Sequence, residues 1–185
     1  MADRVIVVDR DGVINEDSDE YVKSSEEWKA IPGSIEALSK LSHAGCRICV
    51  VSNQSGLSRG LFGLSELNDM HRKLRDLLAG QGAQIEMIAF CPHLPTDGCD
   101  CRKPRPGLLL SVQQRLGVSL KGVPFIGDSI GDVQAARAAG MEPWLVRTGK
   151  GEKTLAREGR ALGNTRVFPN LLGAAEYFLY PGPSL

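Results

Sequence analysis

The sequence predicts an α/β protein with a parallel β-sheet, and three observations support this prediction. Short apolar runs of strand length alternate along the chain with longer segments whose apolar residues recur at helical spacing. The apolar runs are continuous, which is typical of strands buried on both faces of a parallel sheet. Several runs stop abruptly at carboxylate or hydroxyl side chains, and parallel sheets bind ligands just beyond the carboxyl ends of their strands.

Length and composition limit the class of protein. The chain has 185 residues, enough for one domain with a real core, so residues 1–185 are predicted to form a single domain. It is 42% hydrophobic and 24% charged with a formal net charge of zero, so neither nucleic acid nor a membrane is expected as a partner. The N-terminus lacks a signal-like segment and no apolar run approaches membrane-spanning length, so a cytoplasmic location is expected. Five cysteines in such a chain argue against a disulfide framework.

The first strand is predicted at residues 5–8 and ends at two carboxylates one residue apart. These are Asp9 and Asp11, and Gly12 then permits a sharp turn. Two acids this close repel each other unless a cation or a shared proton intervenes. The pattern indicates a Mg²⁺ site with a carboxylate nucleophile and an acid/base partner. A solvated turn after a strand is the alternative.

The segment after this strand is predicted to be a loop over the sheet edge, because residues 15–25 are polar and acidic. Asp17 is a candidate substrate contact in this loop, and a solvated acidic loop is the alternative. Apolar residues then recur at helical spacing between Pro32 and Gly45, which predicts a helix bounded by these two residues.

A second buried strand is predicted at residues 47–51, and it also stops at small polar residues. A hydroxyl and free backbone N–H groups at this edge suit a phosphoryl oxygen, and an arginine shortly beyond is a candidate anion contact. The alternative is an ordinary strand-to-helix turn followed by a solvated arginine. The candidate residues are Ser52, Asn53, Gln54, Ser55 and Arg59.

A helix capped by Ser65 and a third strand at residues 85–90 are predicted next. A loop over residues 91–101 follows, in which three thiolates and one imidazole form a closed tetrahedral Zn²⁺ set. A closed set is structural, because no coordination position stays open for water or substrate. The alternatives are a strained disulfide between Cys99 and Cys101, or unrelated free cysteines. The predicted zinc ligands are Cys91, His93, Cys99 and Cys101.

A basic run directly follows the zinc loop. The loop would hold Arg102 and Lys103 rigidly and aim them at the sheet edge, where one cation could neutralise a phosphate and the carboxylates. A solvated basic turn is the alternative. Pro106 suits the first turn of a helix, which is predicted to stop at Gly117.

A fourth strand at residues 123–126 again ends in carboxylates. Asp128 would complete the Mg²⁺ shell begun by Asp9 and Asp11. Asp132 is expected to anchor the loop or the helix that follows, or to favour the positive end of that helix.

The C-terminal third is less regular. A fifth strand is predicted at residues 144–146, while residues 150–165 are polar and show no clear pattern. Apolar spacing suggests a terminal helix over residues 171–178, and residues 181–185 are expected to be a loose tail.

Four ordered motifs resemble those of the haloacid dehalogenase (HAD) superfamily, and the match spans residues 5 to about 150. The resemblance implies a Rossmann-like three-layer fold around a parallel sheet, with the zinc loop in place of a large cap domain. The motifs are Asp9-x-Asp11-Gly-Val, Ser52-Asn53, Lys103 and Gly127-Asp128-x-x-x-Asp132.

Within that superfamily the chain resembles the D-glycero-D-manno-heptose 1,7-bisphosphate 7-phosphatases. The histidinol-phosphate phosphatases share much of the pattern and stay as the closest alternative. The five residues between His93 and Cys99 and the acidic loop at residues 16–20 both depart from the heptose family's form. The resemblance is carried by Asp9-Arg10-Asp11-Gly, Ser52-Asn53-Gln54-Ser55-Gly56, Cys91-Pro92-His93 and Cys99-Asp100-Cys101-Arg102-Lys103-Pro104.

The resemblance implies a Mg²⁺-dependent phosphatase that removes the C7 phosphate through an aspartyl-phosphate, in nucleotide-activated heptose and lipopolysaccharide biosynthesis. It implies Asp9 as nucleophile and Asp11 as general acid/base. Mg²⁺ would be held by the Asp9 carboxylate, the Asp11 backbone carbonyl and Asp128. Ser52 and Lys103 would bind phosphoryl oxygens. The candidate substrate contacts are Asp17, Asn53, Gln54, Ser55, Arg59, Arg102, Lys103 and Ser129.

The expected partner is a small phosphorylated metabolite, and the expected state is a monomer. A noncatalytic zinc module that binds a protein partner is the alternative from another class. The complete acid set of Asp9, Asp11 and Asp128 favours the phosphatase.

Overall fold

The computed structural model describes residues 4–181 and confirms the predicted α/β fold around a parallel sheet. In these residues the strands are β1 (Val5–Val8), β2 (Arg47–Asn53), β3 (Met87–Cys91), β4 (Pro124–Gly127), β5 (Glu142–Val146) and β6 (Arg166–Phe168). They form one sheet in the order β3-β2-β1-β4-β5-β6, with every neighbouring pair parallel. All the carboxyl ends therefore meet at one edge, with β1 near the centre.

Helices alternate with the strands along the chain. Within the described residues they are α1 (Ser34–His43), α2 (Leu64–Ala79), α3 (Gly107–Leu116), α4 (Ile130–Ala138), α5 (Gly151–Leu162) and α6 (Leu171–Leu179). Parallel neighbours cannot be joined by a tight turn, so each connection needs such a crossover helix. Among residues 4–181, no helix combines the length and the apolar character that crossing a membrane requires.

The three layers follow from the alternation of side chains along β1. Val5 and Val7 face a core formed with α3 and α4, whereas Ile6 and Val8 face the core formed with α1, α2 and α6. These four side chains are 4% exposed or less, so burial on both faces explains why the run is uninterrupted.

The connections at the carboxyl edge build the functional side of the molecule. The two longest, residues 9–33 and 92–106, both leave the carboxyl ends of strands, and neither holds a separate cap domain. The second contains the predicted zinc loop except its first ligand, Cys91, which is the last residue of β3. The carboxyl edge of the sheet is therefore bordered by loops rather than by a second domain.

The cap predicted for the second helix is wrong. The helix α2 begins at Leu64, so Ser65 lies inside its first turn and Gly63 takes the capping position. The Glu66 carboxylate accepts the Gly63 N–H at 2.8 Å, which satisfies a donor at the helix start without a serine hydroxyl.

Two elements near the C-terminus were not predicted. The unpatterned residues 150–165 contain all of α5, whose backbone departs from helical geometry at Glu158. The strand β6 has three residues at the edge of the sheet. The terminal helix matches α6, and most of the predicted tail, residues 182–185, lies outside the described residues.

Candidate active site

A cavity of about 330 Å³ lies at the carboxyl edge of the sheet, where loops from five strands converge. Parallel α/β sheets bind ligands at this edge. Most of the predicted catalytic, magnesium and substrate residues line the cavity; they are Asp9, Asp11, Asp17, Ser52, Asn53, Gln54, Ser55, Arg102, Lys103, Asp128 and Ser129.

A buried lysine joins two carboxylates at the floor of this cavity. Lys103 Nζ lies 2.9 Å from Asp9 Oδ1 and 2.6 Å from Asp132 Oδ1, and its side chain is 4% exposed. Burial alone would lower the pKa of Lys103, but Asp132 and Asp9 raise it above its ordinary value. Lys103 is therefore a fixed cation beside Asp9. A phosphoryl group bound there would meet a charge that is already in position.

Three buried carboxylates converge beside this lysine. Oxygens of Asp9, Asp128 and Asp132 lie within 4.8 Å of one another. Burial raises the pKa of Asp9 well above its ordinary range, and burial together with Asp132 raises the pKa of Asp128 to about 7. One lysine does not balance three carboxylates, and oxygen donors are the ligands that Mg²⁺ prefers. The donor set therefore fits a magnesium ion.

Glycine permits the close approach of the loops around Asp128. Gly12 has a φ of 79°, and a Cβ atom built on it would overlap the Asp128 carboxylate. Gly149 has a φ of 58° and packs against Gly12, while Thr148 Oγ1 donates to the Gly12 carbonyl at 2.7 Å. The Lys150 N–H then donates to Asp128 Oδ2 at 2.7 Å. The loops after β1 and β5 thus fix the Asp128 carboxylate from two sides.

The Asp11 carboxylate faces other partners than the acids on the floor. Arg10 Nε and Nη2 donate to Asp11 Oδ1 at 3.1 and 2.8 Å, and Asn15 Nδ2 donates to the same oxygen at 2.9 Å. Gln54 Nε2 and Ser52 Oγ contact Oδ2 at 2.8 and 3.4 Å. Burial would raise the pKa of Asp11, but the charge and the hydrogen bonds of Arg10 hold it below its ordinary value. Asp11 is therefore a partly buried, hydrogen-bonded carboxylate.

Asp132 anchors the start of the helix α4, as the sequence led us to expect. Its Oδ2 accepts hydrogen bonds from the Ser129 N–H at 3.0 Å and from Ser129 Oγ at 2.6 Å. The Asp132 N–H in turn reaches Ser129 Oγ at 3.4 Å, which makes a reciprocal cap. Ser129 lines the cavity, but its hydroxyl is engaged in this cap, so it has less freedom to contact a substrate.

Several predicted substrate contacts hold other protein groups. Asn53 Oδ1 accepts the Lys103 N–H and Asn53 Nδ2 donates to the Lys103 carbonyl, both at 3.1 Å, so this amide fixes the lysine backbone. Asp17 forms an ion pair with Lys150 at 2.9 Å. Arg59 does not line the cavity. Its guanidinium lies instead 5.9 Å from the ring centre of Tyr21, which does.

The four predicted zinc ligands converge on one point. The Cys91 sulfur lies 3.0 Å from the Cys101 sulfur and 3.7 Å from the Cys99 sulfur, and His93 Nδ1 lies 3.5 and 3.2 Å from Cys91 and Cys101. A tetrahedron with metal–sulfur bonds of about 2.3 Å has edges of about 3.7 Å. The donors therefore fit a closed zinc site.

The same geometry excludes the disulfide alternative. The Cys99 and Cys101 sulfurs are 3.5 Å apart, far beyond the length of a covalent bond of about 2 Å. Both are free thiols, as is Cys91.

Comparison with known proteins identifies the family. Residues 100–174 match a family model described as HAD-hydrolase-like. A Pseudomonas aeruginosa protein named D-glycero-beta-D-manno-heptose-1,7-bisphosphate 7-phosphatase is 49% identical over 182 residues, which cover 97% of this chain and 99% of that protein. This chain belongs to that family of HAD-type phosphatases.

Solved structures agree with the family assignment. The crystal structure of the Bordetella bronchiseptica D,D-heptose 1,7-bisphosphate phosphatase, complexed with magnesium and phosphate, matches with a TM-score of 0.94 at 48% identity. The match covers 97% of this chain and 99% of that one. The Burkholderia thailandensis phosphatase of the same name matches with a TM-score of 0.73 at 40% identity, covering 95% and 98% of the two chains. This chain is thus a phosphatase with the fold of the heptose bisphosphate family.

Sequence reasoning missed two cavity residues with marked roles in the geometry. Arg10 lies between the two acids of the first motif, is 1% exposed and contacts Asp11. Lys150 reaches both Asp128 and Asp17. Arg10 stands between two acids in the sequence, where an arginine is ordinarily solvated, and the sequence around Lys150 contains no signal for its contacts.

Proposed function

We propose that this phosphatase removes the C7 phosphate from D-glycero-D-manno-heptose 1,7-bisphosphate, as a step in nucleotide-activated heptose biosynthesis. Relatives that match nearly the whole chain carry the name of the β-anomer's 7-phosphatase, which favours the β-bisphosphate as substrate. The cytoplasmic location and the monomeric state stay predictions.

The observation that carries the proposal is the separation of two acids at the end of β1. Asp9 faces the buried Lys103, while Asp11, two residues on, faces Arg10. A phosphatase that uses a covalent intermediate needs a nucleophile beside a phosphate-binding cation. It also needs a second acid that can serve the leaving group and then water.

The proposed reaction has two displacements at phosphorus. An Asp9 oxygen attacks the phosphorus, the bond to the C7 oxygen breaks, and Asp11 gives that oxygen its proton, which leaves an aspartyl-phosphate. Asp11 then takes a proton from water, the water oxygen attacks the phosphorus, and the bond to Asp9 breaks to release inorganic phosphate. Lys103 and Ser52 bind phosphoryl oxygens in both steps.

Two metal ions complete the proposal. Mg²⁺ would be held by the Asp9 carboxylate, the Asp11 backbone carbonyl and Asp128, and when bound it neutralises phosphoryl charge. Zn²⁺ would be structural, since its four ligands leave no open position. It would fix the loop that presents Lys103 to the cavity.

A phosphate-release screen tests the substrate. Both anomers of heptose 1,7-bisphosphate, histidinol phosphate and fructose 1,6-bisphosphate are compared at equal concentration with Mg²⁺. We expect the β-heptose bisphosphate to give the highest kcat/KM. A higher value for histidinol phosphate would overturn the proposed substrate while leaving the phosphatase chemistry intact.

The nucleophile is tested with Asp9→Asn, which should abolish turnover while leaving the circular dichroism spectrum unchanged. Asp76→Asn is the matched control, because Asp76 is exposed on α2 and away from the cavity. Activity of Asp9→Asn within about tenfold of wild type would remove Asp9 as nucleophile.

A further inference from the structure

The proposed substrate carries two phosphates, and the enzyme removes one of them. The phosphate that stays on the sugar is a second dianion in or near the same cavity. The Asp9, Asp128 and Asp132 carboxylates already place negative charge on the cavity floor. A cation that is not engaged in the reaction is therefore needed to hold it.

Four cationic side chains of the described residues line the cavity, and two of them are engaged. Arg10 is buried against Asp11, and Lys103 is buried between Asp9 and Asp132. The other two are Arg102 and Lys150. Arg102 and Lys150 are therefore the two candidates for binding the phosphate that stays on the sugar.

Arg102 and Lys150 stand on opposite sides of the reaction centre. Arg102 follows the zinc loop after β3, and one of its Nη atoms donates to the His93 carbonyl at 3.2 Å. Lys150 follows β5, on the other side of the sheet centre. The two residues therefore represent two distinct places for the phosphate, and variants of each can distinguish them.

Lys150 is anchored at its backbone while its ammonium group is accessible. The Lys150 N–H donates to the buried Asp128, which fixes the backbone beside the reaction centre. Its Nζ reaches Asp17 in the loop after β1 at 2.9 Å, and the side chain is 53% exposed. A half-exposed ion pair of this kind is weak. An incoming phosphate dianion can therefore share or replace the carboxylate as the partner of Nζ.

We propose that Lys150 is a substrate-specificity residue whose ammonium group binds the phosphate that the enzyme does not remove. This inference rests on the proposed function. Asp17 holds the ammonium group at the cavity mouth when substrate is absent, and the lysine bridges Asp17 and the phosphate when it is bound. The lysine would then favour bisphosphates over sugar monophosphates that share the reacting end.

The test compares the heptose 1,7-bisphosphate with the heptose 7-phosphate, which lacks the second phosphate. Lys150→Met should lower kcat/KM for the bisphosphate up to about fivefold more than for the monophosphate, the range for an ion pair of a half-exposed side chain. Lys150→Arg should recover most of the preference, because it restores the charge. The Lys150 N–H to Asp128 is a backbone group and stays in both variants.

Two further variants make the result specific. Lys153→Met is the matched control, since it removes the same charge from an exposed position of α5 that does not line the cavity. Its bisphosphate preference should equal that of wild type. Arg102→Met tests whether the remaining phosphate binds on the other side of the cavity instead.

The possible results distinguish an error in the role of Lys150 from an error in the proposed function. Equal losses on the two substrates in Lys150→Met, or a loss of preference confined to Arg102→Met, would overturn the assignment of Lys150. A wild-type enzyme that hydrolyses neither heptose phosphate would instead overturn the proposed function. The inhibition constant of heptose 1-phosphate gives an independent reading, because Lys150→Met should weaken that inhibition by a similar factor.

Discussion

Replacing Lys103 with methionine should strongly destabilise the protein. The side chain is 4% exposed, and its Nζ contacts Asp9 at 2.9 Å and Asp132 at 2.6 Å. Methionine keeps most of the volume but removes the charge, so two buried carboxylates are left without their common cation. Removing one partner of a buried ion pair costs about 3–5 kcal/mol.

Thermal and urea unfolding in magnesium-free buffer measure this loss. For a chain of this length, the expected cost corresponds to a fall in Tm on the order of 10 °C. Lys121→Met is the matched control, because Lys121 is exposed in the turn before β4 and forms no ion pair in the described residues. The Lys103→Met variant should also lose about 10²–10³-fold in kcat, as expected when one donor to a transferring group is removed.

A second substitution separates charge imbalance from lost packing. Asp132→Asn should destabilise wild type, where the carboxylate faces Lys103 and accepts from Ser129. In the Lys103→Met background the same change removes an uncompensated charge and should recover about 1 kcal/mol or more. The reasoning is refuted if Lys103→Met unfolds within about 1 kcal/mol of wild type, or if Asp132→Asn costs as much in both backgrounds.

Four shorter predictions concern other parts of the molecule. Asp11→Ala should lose less activity on p-nitrophenyl phosphate than on heptose bisphosphate, because an aryl oxygen leaves without a proton more readily; equal losses in single-turnover assays would contradict the general-acid role. Cys101→Ser should lower both Tm and the zinc content found by elemental analysis. Wild-type protein that is active with less than about a tenth of an equivalent of metal would rule out the zinc site. Gly12→Ala should lower Tm well beyond Gly122→Ala, since both glycines have positive φ but a Cβ at Gly122 meets open space. Burial lowers the pKa of His71 to about 4, so the unfolded chain gains a proton before the folded one as pH falls. The free energy of unfolding therefore falls between about pH 6.5 and 4, by up to about 1.4 kcal/mol per pH unit. His71→Asn should reduce this slope when unfolding by urea is measured at a series of pH values. Equal slopes in wild type and His71→Asn would contradict the prediction.

The elements that position the site could be predicted because their burial produces a clear pattern of apolar residues in the sequence. The strand β1 is four apolar residues in a row, since both of its faces are covered. The missed helix α5 buries few side chains, among them Thr154 and Leu162, so its sequence has no clear apolar stripe. The strand β6 is short and partly exposed, and it depends on its pairing with β5. Tertiary contacts decide such elements more than local pattern does.

Asp9 and Asp128 were predictable for a related reason, because each directly follows a strand of a parallel sheet. Arg10 was not, since an arginine between two aspartates is ordinarily solvated. Its buried guanidinium donates from Nη2 to Gln54 Oε1 at 3.3 Å, and Gln54 comes from the loop after β2. The contact between Lys150 and Asp17 joins loops from opposite ends of the chain, and no local pattern indicates it.

The two acids after β1 are separated by one residue but differ in electrostatics, and this difference bears on the proposed cycle. Burial keeps the pKa of Asp9 well above its ordinary range in spite of Lys103, whereas Arg10 brings the pKa of Asp11 below its ordinary value. A nucleophile must be ionised and a general acid protonated, so these two shifts on their own run opposite to the roles that the proposed cycle gives Asp9 and Asp11. Mg²⁺ bound beside Asp9 would favour the ionised form of its carboxylate. The Asp11 carboxylate, with its donors in place, is in the ionised form that takes a proton from water in the second displacement. The first displacement needs a protonated Asp11. In the proposed cycle this carboxylate must therefore give up hydrogen bonds from Arg10 and take up a proton before the sugar oxygen leaves.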